Sequence, residues 1–167
     1  MKIYTKKGDL GQTDLYKERV DKSSLRIDLI GTIDEILAHI LMLDKVVNDK
    51  DITEELNTIY DVLFTLNYEI FKNEAMTKVD SVSFLENKID YYNTFLEPIR
   101  EFIKLNQNEK TLWANFSRIT TRKAERKYVL CYKEILNENS LKFLNRLSDY
   151  FFTLGRYLGK EINKWTK

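Results

Sequence analysis

An all-α protein, a five-helix up-and-down bundle preceded by an irregular N-terminal segment, is the fold class this chain predicts, and three observations lead there. Only five Gly and one Pro, Pro98, occur in 167 residues, too few for sandwiches, barrels or βαβ folds that need a turn every ten residues or so. Apolar residues recur at helical spacing in five successive stretches. The connections between those stretches are short, so neighbouring helices should run antiparallel. With 43% apolar and 13% aromatic residues, residues 1–167 suffice for one well-packed domain burying roughly 70% of its unfolded surface.

The elements follow in order. Residues 1–22 hold Gly8 and Gly11, show no helical period, and read as irregular. Ser23 or Ser24 is the N-cap of a first helix carrying Leu25, Ile30, Ile33, Leu37, Ile40 and Leu41, fading near Asn48. Asp51 with Glu54 makes a capping-box-like start for a second, with Ile52, Leu56, Ile59, Leu63, Leu66 and Ile70. Ser83 with Glu86 does the same for a third, carrying Leu85, Ile89, Tyr92 and Leu96, which Pro98 should kink or interrupt before Ile99, Phe102 and Ile103. A fourth spans about 109–135. The fifth runs from Ser140 almost to the C-terminus on Leu141, Leu144, Phe151, Leu154, Leu158, Ile162 and Trp165.

Charge and composition exclude several function classes. Twenty-seven Lys and Arg against 26 Asp and Glu leave +1, so no global field attracts nucleic acid or anionic lipid. Cys131 stands alone, which excludes a disulfide framework and a Cys-ligated zinc or iron-sulfur site. The only histidine, His39, follows Glu35 by four residues and lacks the paired Glu-x-x-His of di-iron bundles, so no protein-held metal is expected. The start MKIYTKKGDL has no apolar signal region and no apolar run reaches about 18 residues, which makes a cytoplasmic protein without a membrane partner the expectation.

Local clusters carry the chemistry. Thr5, Lys6, Lys7, Gly8, Asp9, Leu10, Gly11, Gln12 and Thr13 pack two glycines, two lysines and two threonines into one string. Such a string suits an anion cradle: glycines let backbone N–H groups converge on oxygens, lysines add charge, and hydroxyls can donate to phosphate or hold a hydrated Mg²⁺. A flexible, solvated arm is the alternative. Asp34 is flanked at helical spacing by Ile30, Leu37 and Leu41, which places its carboxylate either on an apolar stripe, where a charge needs a partner, or at the edge of that stripe, where it reaches water; Arg26 lies two turns earlier. In the fourth helix Arg118, Arg122, Lys123, Arg126 and Lys127 face only Glu125, and Arg118, Arg122 and Arg126 succeed each other at i, i+4. That row suits a polyphosphate; a solvated basic face is the alternative, and the balanced overall charge makes RNA binding the weaker reading. In the fifth helix Asn145, Arg146, Asp149 and Arg156 interrupt an apolar run, as a structural polar network would.

Taken in order, TKKGDLGQT, Arg26 with GTIDE, RITTRKAER and LNRLSDYFF resemble the ATP:cob(I)alamin adenosyltransferases of the propanediol-utilisation type. The resemblance covers nearly the whole chain. It implies a homotrimer of five-helix bundles with active sites between subunits, and transfer of the 5'-deoxyadenosyl group of ATP to the cobalt of cob(I)alamin, giving adenosylcobalamin and tripolyphosphate. By resemblance, Thr5 to Thr13 (with Lys6, Lys7, Gly8, Asp9 and Gly11), Lys22 and Arg26 form the nucleotide-binding segment around ATP and Mg²⁺. Arg122, Glu125, Arg126 and Asn145 match the other ATP-facing residues. Asp34 and Arg118 match the pair that bridges subunits beside the corrin, and Phe102 the aromatic that displaces the lower ligand of cobalamin. The resemblance further implies a flavoprotein reductase and an adenosylcobalamin-dependent enzyme as partners. Leu37 in place of Asn, the stretch Lys104 to Gln107, and Lys123 in place of Arg depart from the family pattern. They motivate an alternative, an ATP- and corrinoid-binding carrier or sensor with reduced activity.

Overall fold

The computed structural model describes residues 2–100, 103–104, 107–131, 137–159 and 163–164. In chain order these form β1 (Gln12–Leu15), β2 (Glu18–Asp21), α1 (Leu25–Val47), α2 (Lys50–Lys72), α3 (Val79–Asn93), β3 (Ile103–Lys104), α4 (Glu109–Cys131), α5 (Glu138–Gly159) and β4 (Asn163–Lys164). The all-α class and the five helices agree with the sequence. Several boundaries do not.

Ser24 caps α1, its hydroxyl accepting from the Ile27 N–H, and Asn48 closes the helix in the left-handed region at φ 49°. The α2 cap is Asp49 rather than Asp51: its carboxylate accepts from the Asp51 and Ile52 N–H groups at 3.1 Å each, and Asp51 falls in the first turn, where the helix dipole favours it. Ser83 does not start α3. The helix begins at Val79, and the Ser83 hydroxyl donates back to the Val79 carbonyl from inside it. Pro98 does not kink a continuing helix either, because α3 stops at Asn93. The residue before a proline disfavours helical backbone, and Ile103 pairs instead as a strand with Lys164. Asn137 opens α5, accepting from the Asn139 N–H at 3.0 Å. The helix ends at Gly159, well short of the C-terminus. Ile162, Trp165 and the expected end of the fourth helix at 132–135 lie outside the described residues.

Residues 12–21, read as irregular, form a β-hairpin in the register Gln12↔Asp21, Thr13↔Val20, Asp14↔Arg19 and Leu15↔Glu18. The connecting pair Tyr16-Lys17 lacks the Asn-Gly or Asp-Gly signature of tight hairpins, although Tyr16 adopts the positive φ (51°) such a turn requires.

The principal helix contacts are α4 with α5 and α1, α3 with α5, and α2 with α1. The spatial order is therefore α2, α1, α4, α5, α3, with α4 central. Leu29, Ile33, Ile36, Ile59, Leu63, Tyr128, Phe143 and Phe151 are among the fully buried core residues. Helices α4 and α5 approach closely at Gly155, where a Cβ would lie 3.3 Å from that of Ala114.

Two buried carboxylates tie the layers together. Glu69 accepts from the Met76 and Thr77 N–H groups at 2.8 Å, from the Asn137 amide at 2.7 Å, and from the Tyr128 and Ser140 hydroxyls. Glu55 accepts from the Tyr92 and Tyr150 hydroxyls and the Lys88 ammonium, each at 2.9 Å. Burial and then the Glu55 charge push both tyrosine hydroxyls far above their ordinary range, which keeps them donors. A carboxylate buried without such donors would be prohibitively unstable.

Candidate functional site

The N-terminal string folds into consecutive turns rather than a free arm. The Asp9 N–H donates to the Lys6 carbonyl and the Gly11 N–H to the Gly8 carbonyl, with Gly11 at φ 79°, a conformation that favours glycine. The hairpin holds this loop from below: the Lys22 ammonium donates to the Gly8 carbonyl at 2.9 Å, and Arg19 donates to the Lys7 carbonyl while pairing with Asp14 at 2.7 Å. Thr5, Lys6, Lys7 and Asp9 are exposed, Thr13 is half-buried in β1, and neither Lys6 nor Lys7 has an ion pair among the described residues. The hairpin docks on the bundle through buried Leu15 and through Tyr16, edge-on to Phe71.

Arg26 sits where hairpin and bundle meet. Its guanidinium pairs with Glu18 of β2 at 2.6 Å and donates to the Ile70 carbonyl at the end of α2 at 2.7 Å. Both contacts turn it toward the protein, so the structure gives Arg26, like Lys22, a part in holding the loop.

Asp34 is not on the buried stripe. Leu29, Ile33, Ile36, Leu37, Ile40, Leu43 and Val47 form that stripe, whereas Asp34 is exposed on the opposite side with Leu41 and accepts from the Asn67 amide of α2 at 2.8 Å. Ile30 and Leu41 lie at the stripe's edge and beyond it, so of the two positions open to Asp34 the structure shows the one that reaches water. Within the chain Asp34 does not pair with Arg118, whose Nε donates to Asn115 at 3.0 Å.

The basic helix divides into two faces. Lys123 pairs with Glu35 at 3.1 Å, and Lys127 pairs with Asp28 and donates to the Thr32 hydroxyl at 2.8 Å. Both lysines thus serve the α1–α4 contact. Arg118, Arg122 and Arg126 turn elsewhere; none has an ion pair among the described residues, and Arg122 and Arg126 are exposed. Burial and then the like charge of Arg122 push the Arg118 guanidinium below its ordinary pKa.

Across from this row, the Asn145 amide of α5 donates to Glu125 at 2.9 Å and accepts from Arg146 at 2.6 Å, while Arg146 also donates to Glu86 of α3 at 2.9 Å. Burial pushes the nearby Asp149 carboxyl up, Glu125 adds to this, and Arg146 and Arg122 oppose it. Glu125, Asn145 and the arginine row therefore share one surface at the α4–α5 seam. No hydrogen bond or ion pair among the described residues joins that seam to the Thr5–Thr13 loop. Phe102 lies outside the described residues.

The sequence reading missed Glu55 and Glu69 as buried anchors, Arg19 as a support of the loop, and the division of α4 into lysine and arginine faces. The four-residue offset of Lys123 from Lys127, one helical position away from the arginine row, was the signal that could have revealed the last. Among the described residues no group of three His, Cys, Asp or Glu could hold a metal, and no helix is long and apolar enough to cross a membrane.

The helical bundle thus carries a turn-rich glycine loop beside the hairpin and, along α4, an arginine row without ion pairs among the described residues. Residues 3–158 match the family model described as cobalamin adenosyltransferase. The corrinoid adenosyltransferase of Bacillus subtilis is 40% identical over 166 residues, covering 93% of this chain and 86% of that protein. The cobalamin adenosyltransferase of Cupriavidus metallidurans is 37% identical, with 95% and 89% covered. A variant of the PduO-type ATP:corrinoid adenosyltransferase from Lactobacillus reuteri, complexed with cobalamin and ATP, superposes with a TM-score of 0.86 at 30% identity, covering 95% of this chain and 94% of that one. The chain belongs to the cobalamin adenosyltransferase family.

Proposed function

We propose that this chain transfers the 5'-deoxyadenosyl group of ATP to the cobalt of a reduced corrinoid. Co(I) attacks C5', the bond from C5' to the triphosphate oxygen breaks, and tripolyphosphate leaves. The metal of the substrate is the nucleophile, so the protein needs no nucleophilic side chain. Its work is to align C5' with cobalt and to stabilise the charge of the departing triphosphate. The observation that carries this reading is the row of Arg118, Arg122 and Arg126, left without carboxylate partners among the described residues while Lys123 and Lys127 are engaged by α1. Arg122 and Arg126 would bind phosphate oxygens through paired N–H groups, with Asn145 and Glu125 fixing their surroundings. The Thr5–Thr13 loop would supply backbone N–H groups and the Lys6 and Lys7 charges. Mg²⁺ would ride on the phosphates, and exposed Asp9 and Thr5 suit its hydration shell.

Since no hydrogen bond or ion pair among the described residues joins the loop to the arginine row, the complete site is read as one in a homotrimer in which each site draws on two subunits. Asp34 and Arg118 would then pair across the interface, and Phe102 would press on the lower face of the corrin, displacing its lower ligand. A cytoplasmic flavoprotein reductase would supply Co(I), and an adenosylcobalamin-dependent enzyme would take the product. Incubation with ATP, Mg²⁺ and chemically reduced cobalamin under anaerobic conditions tests the reading: appearance of the adenosylcobalamin spectrum supports it. Binding of ATP or Co(II) corrinoid with no product would instead favour the carrier or sensor motivated by Leu37, the Lys104–Gln107 stretch and Lys123.

A further inference from the structure

Glu125 stands inside the arginine row and neutralises none of it. It follows Arg122 by three residues on α4, the spacing at which side chains of one helix meet, so that guanidinium is within its reach. Among the described residues Glu125 nevertheless makes no ion pair; its carboxylate accepts from the Asn145 amide of α5 at 2.9 Å instead. A guanidinium is the stronger donor to a carboxylate, so a freely turning amide would not hold Glu125 against Arg122. The amide has to be fixed.

Arg146 fixes it from behind. One of its terminal nitrogens donates to Asn145 Oδ1 at 2.6 Å, and its Nε donates to Glu86 of α3 at 2.9 Å. Both ends of the Asn145 amide are thereby engaged, and turning it over would set its NH₂ group against a guanidinium and its oxygen against a carboxylate. As a contribution to stability the Arg146–Glu86 pair is small, because the two side chains are 40% and 47% exposed. What the pair supplies is direction. Glu86 orients Arg146, Arg146 orients Asn145, and Asn145 draws Glu125 toward α5.

We infer that Arg146, anchored on Glu86 and acting through Asn145, is a positioning residue that keeps the Glu125 carboxylate on the α5 side of the seam and so leaves Arg122 unpaired for an anionic ligand. The inference rests on the adenosyltransferase reading above, in which that ligand is the triphosphate of ATP. Without Arg146 the amide is free to turn, Glu125 can pair with Arg122, and ATP has to displace it.

Arg146→Met removes the donors and keeps the stem, and Glu86→Gln removes the anchoring charge on α3. In the full-length chain the dissociation constant of MgATP is read by calorimetry, beside KM for ATP, kcat with chemically reduced cobalamin, and the melting temperature. For Arg146→Met, Kd and KM for ATP should rise roughly 3- to 10-fold, since ATP then competes with an exposed ion pair, while kcat at saturating ATP and the melting temperature stay close to wild type; Glu86→Gln should show a smaller rise of the same kind. In a Glu125→Gln background no carboxylate competes for Arg122, so adding Arg146→Met should leave ATP affinity as it is in Glu125→Gln alone. Wild-type ATP affinity in a folded Arg146→Met variant overturns the inference, and so does a loss that persists in the Glu125→Gln background, because Arg146 would then act by another route, such as the neighbouring Asp149 carboxyl. Should Arg146→Met fail to fold, Glu86→Gln decides: a weakened ATP affinity that Glu125→Gln masks supports the inference, and wild-type affinity overturns it. Failure of the wild-type chain to bind MgATP removes the adenosyltransferase reading and the inference together, whereas wild-type binding and turnover with unaffected variants remove the inference alone.

Discussion

Arg122 and Lys123 are neighbours in sequence and have opposite tasks, because one residue of helix rotates a side chain by about 100°. Lys123 faces α1 and finds Glu35; Arg122 faces outward and finds no carboxylate among the described residues. Arg122→Ala and Arg126→Ala should therefore each weaken ATP binding by about 1.5–3 kcal/mol, roughly 10- to 150-fold, with little change in melting temperature. Lys123→Ala should do the reverse on a smaller scale, since a half-exposed pair contributes at most about 1 kcal/mol. ATP titration calorimetry beside thermal melts separates the two; unchanged ATP affinity in both arginine variants would remove the row from the site. His39 supplies a pH test at the same scale. Burial lowers its pKa below the ordinary 6.5, against a smaller opposing pull from Glu35, and its ring lies against Trp113 and Phe116 and within reach of the Thr120 hydroxyl. The folded state therefore binds the proton less readily than the unfolded chain, so stability is full above pH 6.5 and falls as pH drops below it. His39→Gln should flatten this acid-side loss of melting temperature between ~pH 5 and ~pH 7, and an unaltered slope would refute the assignment.

At the scale of elements, the hairpin and the loop it supports differ in what they need. Residues 12–21 are held by ladder pairing, by buried Leu15 and by the Arg26 bridge from Glu18 to Ile70. The loop above them presents Lys6 and Lys7 to solvent and hangs on Lys22 and Arg19. Limited trypsin digestion should accordingly cut after Lys6 and Lys7 and spare the hairpin, and MgATP, but not AMP, should slow those two cuts, because ordering the loop requires the polyphosphate. Equal rates with and without MgATP, followed by mass spectrometry, would contradict the cradle. The helix boundaries show why elements are harder to delimit than to detect. Asp49 and Asp51 are both acceptable caps, and only the turn entering α2 decides which carboxylate reaches the N–H groups.

Considered as a whole molecule, the chain leaves large apolar side chains exposed on the adjoining helices α1 and α4. Leu41, Phe116 and Ile119 are each about half exposed or more (57%, 54% and 49%), and exposed apolar groups of this size on adjoining helices mark association surfaces. The proposed homotrimer would bury them, with Asp34 pairing to Arg118 of a neighbour. Light scattering at micromolar protein should give three times the 20.0 kDa chain mass, and Asp34→Ala should shift it toward monomer, the loss of a desolvated partner costing about 3–5 kcal/mol. A wild-type monomer would exclude sites shared between subunits.

The number and order of the helices, the arginine row on α4 and the glycine loop were legible in the sequence, because helical periodicity, i, i+4 charge spacing and glycine content are local properties of the chain. Tertiary structure alone decided which members of those patterns face the core, a neighbour or water. Of its two possible positions Asp34 takes the one at the surface, Lys123 and Lys127 joined α1, Arg26 turned inward to Ile70, and Glu55, Glu69 and Arg156 are buried. The reason is that a charge's role is set by the groups it meets across helices far apart in sequence. Glu69 finds its donors seven, eight, 59, 68 and 71 residues away, and no window of sequence contains them all.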